Sequence, residues 1–134
     1  MEYHAERYQD YSLMVKADNN FIAVIPANIN ENRDTVITHE GLTFGGIFIS
    51  QDIKTTTYIK LFQEIIIYLS KNKISKLIYK APPICYHQTP SEEDLYAIHL
   101  NGGKLIRRDI GTILNPESMS KYSELRRRKI RKSK

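Results

Sequence analysis

FGGIFISQDIKTTTYIKLFQEIIIYLSKNKISKLIY, residues 44–79, changes its hydrophobic period twice, and those two changes decide the fold class. Residues 44–50 (FGGIFIS) read as a strand, with Gly45 and Gly46 inviting a bulge or a close backbone approach. From about Thr55 to Asn72, Tyr58, Phe62, Ile65 and Leu69 recur at helical spacing, and Leu61 and Ile66 widen the stripe. Ile74 to Tyr79 then returns to a strand pattern.

Upstream, residues 11–17 (YSLMVKA) and 21–27 (FIAVIPA) form a predicted antiparallel hairpin around Asp18-Asn19-Asn20. Thr35 to Thr38 is a short predicted strand. Downstream, Pro82-Pro83 forces an extended segment that cannot serve as a central strand. Thr89-Pro90-Ser91-Glu92 predicts a helix start, with Thr89 as cap, Pro90 in the first helical position and Glu92 closing a capping box. Gly102-Gly103 ends that helix, Lys104 to Ile110 is the next predicted strand, and Asn115-Pro116 opens a last helix containing Met119, Tyr122, Leu125 and Ile130. The order predicts an α/β chain of the α+β mixed-sheet kind, with helices packed against the sheet through right-handed crossovers.

Length and composition narrow the function classes. The chain of 134 residues, 41% hydrophobic, has room for one modest core. Its apolar runs, Ile65 to Leu69 among the longest, are too short to span a bilayer, and the polar opening Met1 to Arg7 is unlike a secretory signal. The one cysteine, Cys85, excludes an internal disulfide and a cysteine zinc cluster; a buried thiol packed between prolines is its expected role. The four histidines show no ligand spacing, so no metal is expected. A cytoplasmic protein without membrane contact is the expectation.

Charge is unevenly distributed. Residues 121–134 carry eight Lys/Arg against Glu124, whereas the rest of the chain carries 12 basic and 14 acidic side chains. Any nucleic-acid argument therefore rests on the tail.

The local sequence is more specific than the element order. Thr38 to Gly46 (THEGLTFGG) resembles the HxGLTYGG segment of FemAB-like proteins of bacterial polysaccharide synthesis, and Tyr79 to His87 (YKAPPICYH) resembles their YKxxPxxYH element. Pro90 to Tyr96 (PSEEDLY), Arg107-Arg108-Asp109 and the basic stretch Ser123 to Ile130 are similar to three further segments in the same order. The resemblance covers roughly residues 35–131 and implies a fold of the GNAT (acyl-CoA N-acyltransferase) type over residues 1–118. It also implies a basic helix or linker, residues 119–134, leading towards a second domain. The activity implied is acyl transfer to an amine or hydroxyl of a cell-surface polysaccharide precursor such as a nucleotide-linked amino sugar, with acyl-CoA (acetyl-CoA) or aminoacyl-tRNA as donor. One departure stands out: GNAT enzymes hold the CoA pyrophosphate on a glycine-rich loop at a helix N-terminus, and Lys54 to Thr57 contains no glycine. The expected enzyme is thus the substrate-side half of an acyltransferase, incomplete alone, pairing with a second GNAT-like domain or as a homodimer.

Acyl transfer needs a base, donors for the oxyanion and a proton source. His39, Thr43 and the backbone of Gly45 and Gly46 are candidates to line a substrate cleft; the alternative is that the glycines only shape a turn. Tyr79, Lys80 and Tyr86 flank the rigid double proline as further substrate contacts, and His87 is a candidate general base. Glu93 is the second catalytic candidate, against a purely capping role for Glu92, Glu93 and Asp94. Two other functions remain open: a non-catalytic scaffold, and an RNA- or tRNA-binding domain acting through the basic helix.

Overall fold

The computed structural model describes residues 6–50, 53–113, 115, 117 and 122–133. Its first structural unit is one long hairpin. Asp18 and Asn19 both take positive φ, 47° and 67°, which is the pattern of a two-residue type I′ turn and suits short polar side chains. The turn joins β2 (Leu13–Ala17) to β3 (Asn20–Ile25). The same register continues past both strands: Val15 faces Ala23, Met14 faces Val24 and Leu13 faces Ile25. Beyond a break, β1 (Gln9–Asp10) then meets β4 (Asn28–Ile29), with Asp10 opposite Asn28 and Gln9 opposite Ile29. The break is chemical, because Pro26 has no N–H to give. Ser12 fills the gap: its Oγ accepts from Ala27 N at 3.3 Å and donates to Asp10 Oδ1 at 2.6 Å.

The hairpin therefore feeds two sheets. One has the order β1-β4-β5-β7, where β5 is Thr35–Ile37 and β7 is Lys76–Ile78. It is mixed, with β4 antiparallel to β5 and β5 parallel to β7. The other is antiparallel, β2-β3-β6, where β6 is Phe48–Ile49. The chain is thus a mixed α/β structure with a mixed sheet, divided at Pro26 in a way the sequence pattern did not anticipate.

Every second residue of β3–β4 points inward. Ala23, Ile25, Ala27 and Ile29 are buried beneath Leu61, Ile65 and Leu69 of α1 (Thr55–Lys71), and Val36 and Ile74 complete the cluster. Each fully buried Leu, Ile or Phe side chain contributes about 2 kcal/mol. A second cluster joins Tyr58 and Phe62 of α1 to Ala97 of α2 (Glu93–Leu100). The opposite face of the three-stranded sheet is bare: Met14, Val24 and Phe48 lie side by side across the strands and are all exposed.

α1 ends as the periodicity predicts, in a turn in which Ile74 N donates to Leu69 O and Lys73 N to Ser70 O. Lys73 occupies the left-handed position, φ 62°, that glycine usually fills. Lys73→Gly should therefore stabilise the protein by about 0.5–1 kcal/mol, read as a raised urea midpoint with unchanged slope. α2 uses the same turn with glycine in place, Gly102 at φ 72° and Gly103 N donating to Ile98 O.

Four expectations are corrected. Residues 44–50 contain a strand only at Phe48–Ile49, because Gly45 and Gly46 are taken up in packing against residues 38 and 79–82. α2 begins at Glu93 with Glu92 at its cap position and no side-chain cap, so Thr89 and Pro90 precede it; the inward bond of Asp94 to Tyr79 overrides the local signal. Residues 104–110 form no strand: Leu105, Ile106 and Ile110 are exposed, and among the described residues no strand lies alongside them. The last helix, α3, is Glu124–Lys132, started by Ser123 Oγ accepting from Arg126 N at 3.4 Å, so Tyr122 precedes it. Pro116 and Met119 lie outside the described residues. No helix among those residues is long and apolar enough to cross a membrane.

Candidate functional site

Three stretches singled out in the sequence, 38–46, 79–87 and 90–96, meet in space. Thr38 leaves β5 and Tyr79 leaves β7, so parallel pairing carries both segments out of the sheet together. Thr38 N donates to Ile78 O at 3.0 Å, Lys80 N to Thr38 Oγ1 at 2.8 Å, and Gly45 N to Lys80 O at 2.9 Å. The Lys80 ammonium reaches back to the carbonyls of His39, Glu40 and Leu42, holding that loop closed. Gly46, at φ 105°, passes so near Tyr79 and Pro82 that a Cβ there would lie 2.9 Å from each. The ring of Phe44 lies 4.7 Å from that of Tyr86.

Tyr79 ties in the third stretch. Its hydroxyl donates to Asp94 Oδ2 at 2.9 Å and accepts from Ile47 N at 3.2 Å. Asp94 is buried in the first turn of α2, where its Oδ1 also accepts from Leu95 N. The buried Tyr58 hydroxyl approaches that of Tyr79 without reaching hydrogen-bond geometry. Burial raises the pKa of both tyrosines well above the ordinary value, and the neighbouring Asp94 charge adds to it. Both therefore stay neutral at physiological pH, and Tyr79 acts there as a fixed hydrogen-bond donor.

Beside this cluster lies a shallow, open groove of about 530 Å³ lined by Thr55, Ile84, Pro90, Ser91, Glu92, Glu93 and Tyr96. Thr55, the first residue of α1, donates its hydroxyl to Glu93 Oε1 at 3.3 Å, so the two helix starts are joined across the groove. Glu93 thus faces solvent space with a carboxylate at the start of a helix, where the peptide dipoles favour negative charge.

The candidate residues separate by position. Glu93 lines the groove. His87 does not; its Nε2 is buried with no hydrogen-bond partner among the described residues. Tyr86 and Thr43 are exposed. Tyr79, Lys80, Gly45 and Gly46 form the joint beneath, and His39 is buried at φ 58° with Tyr8 edge-on at 6.0 Å. Cys85 is exposed, contrary to expectation, because the single 3-10 turn Ile84–Tyr86 that carries it buries none of its residues. Among the described residues no three His, Cys, Asp or Glu side chains are grouped to hold a metal ion.

Two members of the cluster were not anticipated as site residues. Tyr58 was legible only as part of the apolar stripe, and Asp94 only as one of three acids in a helix start. Asn28 is a third such residue: fully buried, it accepts from Glu40 N at 2.7 Å and helps hold the 39–42 loop. Comparison of the chain with family models, with curated proteins and with solved structures returned no match.

Proposed function

We propose that this chain is a FemAB/GNAT-like acyltransferase half-domain that presents an amine or hydroxyl acceptor, of the nucleotide-linked amino sugar class, to an acyl donor. The observation that carries the reading is the convergence of the 38–46, 79–87 and 90–96 stretches around the Tyr79–Asp94 bond, beside a groove containing Glu93. The parallel β5–β7 pair bridged by α1 supports the strand–helix–strand part of the GNAT order, whereas residues 104–110, where its last strand would lie, form none.

In this reading the groove takes the acceptor. The Glu93 carboxylate would receive the proton of the attacking amine or hydroxyl, and Thr55 would orient Glu93. Tyr79, Lys80 and the two glycines act as positioning groups. His87, away from the groove lining, is assigned no proton transfer. No pyrophosphate-binding loop precedes α1, so binding of acetyl-CoA is expected to depend on a second domain or a second copy of the chain.

Calorimetric titration with a nucleotide-linked amino sugar tests this. Binding to the full chain is expected, with Glu93→Gln weakening it by roughly tenfold through loss of one charge-assisted hydrogen bond. Absence of acceptor binding, or indifference to the substitution, would overturn the assignment of the groove. A scaffold without chemistry is the second reading, favoured by the openness of the groove, and acceptor binding without transfer in the presence of acetyl-CoA and a partner domain would support it.

A further inference from the structure

The α3 helix poses an energetic problem. It spans only nine residues, Glu124–Lys132, and every one of them is exposed. Isolated helices shorter than about 12–15 residues are marginal in water even with good helix formers. Here Arg127–Arg131 and Arg128–Lys132 set like charges one turn apart, as do Arg126–Lys129, Arg128–Arg131 and Lys129–Lys132. Each such pair disfavours the helix by roughly 0.2–0.5 kcal/mol. Against them stand the Ser123 cap and a long Arg128–Glu124 contact of 3.9 Å, the only ion pair α3 makes among the described residues. Arg126 also lies over the ring of Tyr122, 5.3 Å from its centroid. Glu124 in the first turn and Lys129, Arg131 and Lys132 in the last suit the helix dipole, but among the described residues nothing else packs on the helix and no other acid faces its charges.

The distribution of charge indicates what supplies them. Arg126, Arg127, Arg128 and Lys129 are consecutive, so they step round about 300° of the helix. Leu125 and Ile130 are five residues apart and project about 140° from one another. No single apolar face exists to enter a bilayer, and a flat anionic surface would meet only part of the charge. A groove walled by phosphates on both sides meets charges on both flanks of the helix.

We infer that α3 binds in the groove of a double-helical nucleic acid and gains its helical stability from the phosphates there. The inference is independent of the acyl-transfer reading. RNA and DNA duplexes share this chemistry, and arginine-rich segments of this kind fold on binding RNA.

Fluorescence anisotropy with the full chain tests it, using a labelled RNA hairpin, a DNA hairpin of the same sequence, and vesicles containing phosphatidylserine. Four or five phosphate contacts predict a log–log salt slope near −4, and so roughly a 250-fold loss of affinity between 50 and 200 mM salt. The quadruple substitution R126Q/R127Q/R128Q/R131Q should flatten that slope and weaken binding by about a hundredfold at 50 mM salt. Thermal melting should not change, because α3 buries nothing. The double substitution L125A/I130A should leave binding intact. Whichever hairpin binds more tightly identifies the source. The inference is overturned by a salt-independent signal, by loss of binding in L125A/I130A, or by vesicle binding without hairpin binding.

Discussion

Gly45→Ala is expected to destabilise the protein by about 3 kcal/mol or more, the upper range of overpacking costs. A Cβ at position 45 would lie 2.0 Å from the carbonyl oxygen of Thr38 and 2.8 Å from its carbonyl carbon. Both are backbone atoms, so no rotamer change can relieve the clash. Nor can the Thr38 backbone retreat, since its N–H donates to Ile78 O and its hydroxyl accepts from Lys80 N. Moving residue 45 instead would break its own bond to Lys80 O. Gly102→Ala is the control: nothing lies within 4 Å of a Cβ there, and only the φ of 72° opposes it. That change should cost about 1 kcal/mol. Urea titrations of both variants at neutral pH check the contrast. Equal losses, or less than about 1 kcal/mol at position 45, would mean that the 38–45–80 joint is not rigid. The result also bears on function, because it gives Gly45 a packing role that needs no ligand.

What the sequence revealed follows the range over which each signal acts. The α1 stripe of Tyr58, Leu61, Phe62, Ile65, Ile66 and Leu69 is a local period, and all but the half-buried Ile66 are buried in a helix ending one residue before the predicted limit. The Asp18–Asn19 turn and the Gly102 stop are likewise set by the conformations that few residues tolerate. Sheet partners are another matter. Lys104 to Ile110 has a strand's composition, but pairing depends on a neighbouring edge, and its leucine and isoleucines remain exposed. Pro26 carried a visible warning: as a residue without an N–H it marks where the hairpin passes between sheets, but the two-sheet outcome also needs β5, β6 and β7. The site is the least legible part. Tyr58, Tyr79 and Asp94 come from α1, the end of β7 and α2, and no motif spacing links them. Three of the five resemblance motifs fall on stretches that meet in space, but no motif tells which side chains in them face one another.

That buried cluster carries the second large effect, a loss of stability in alkali. Tyr58 and Tyr79 are held protonated in the folded state at pH values where an exposed phenol, ordinary pKa 10, has ionised. The folded pKa values are raised, so the unfolded chain binds fewer protons above pH 10 and stability falls as pH rises from there; below pH 10 the pair adds no slope. Each tyrosine contributes about 1.4 kcal/mol per pH unit, so together they remove about 5 kcal/mol between pH 10 and 12. That is comparable with the whole stability of a small domain. The two hydroxyls are separable. Tyr58→Phe should halve the alkaline slope at little cost at pH 7, because among the described residues that hydroxyl has no partner in hydrogen-bond geometry. Tyr79→Phe should also halve it, but with a loss of about 2 kcal/mol at pH 7, since Ile47 N and Asp94 both lose their partner. Urea midpoints at pH 7, 10.5 and 11.5, read beside tyrosinate absorbance at 295 nm, distinguish these cases. Titration of every tyrosine near pH 10 with the fold intact would show that the Tyr58–Tyr79–Asp94 cluster is open to water, and with it the joint on which the Glu93 groove is built.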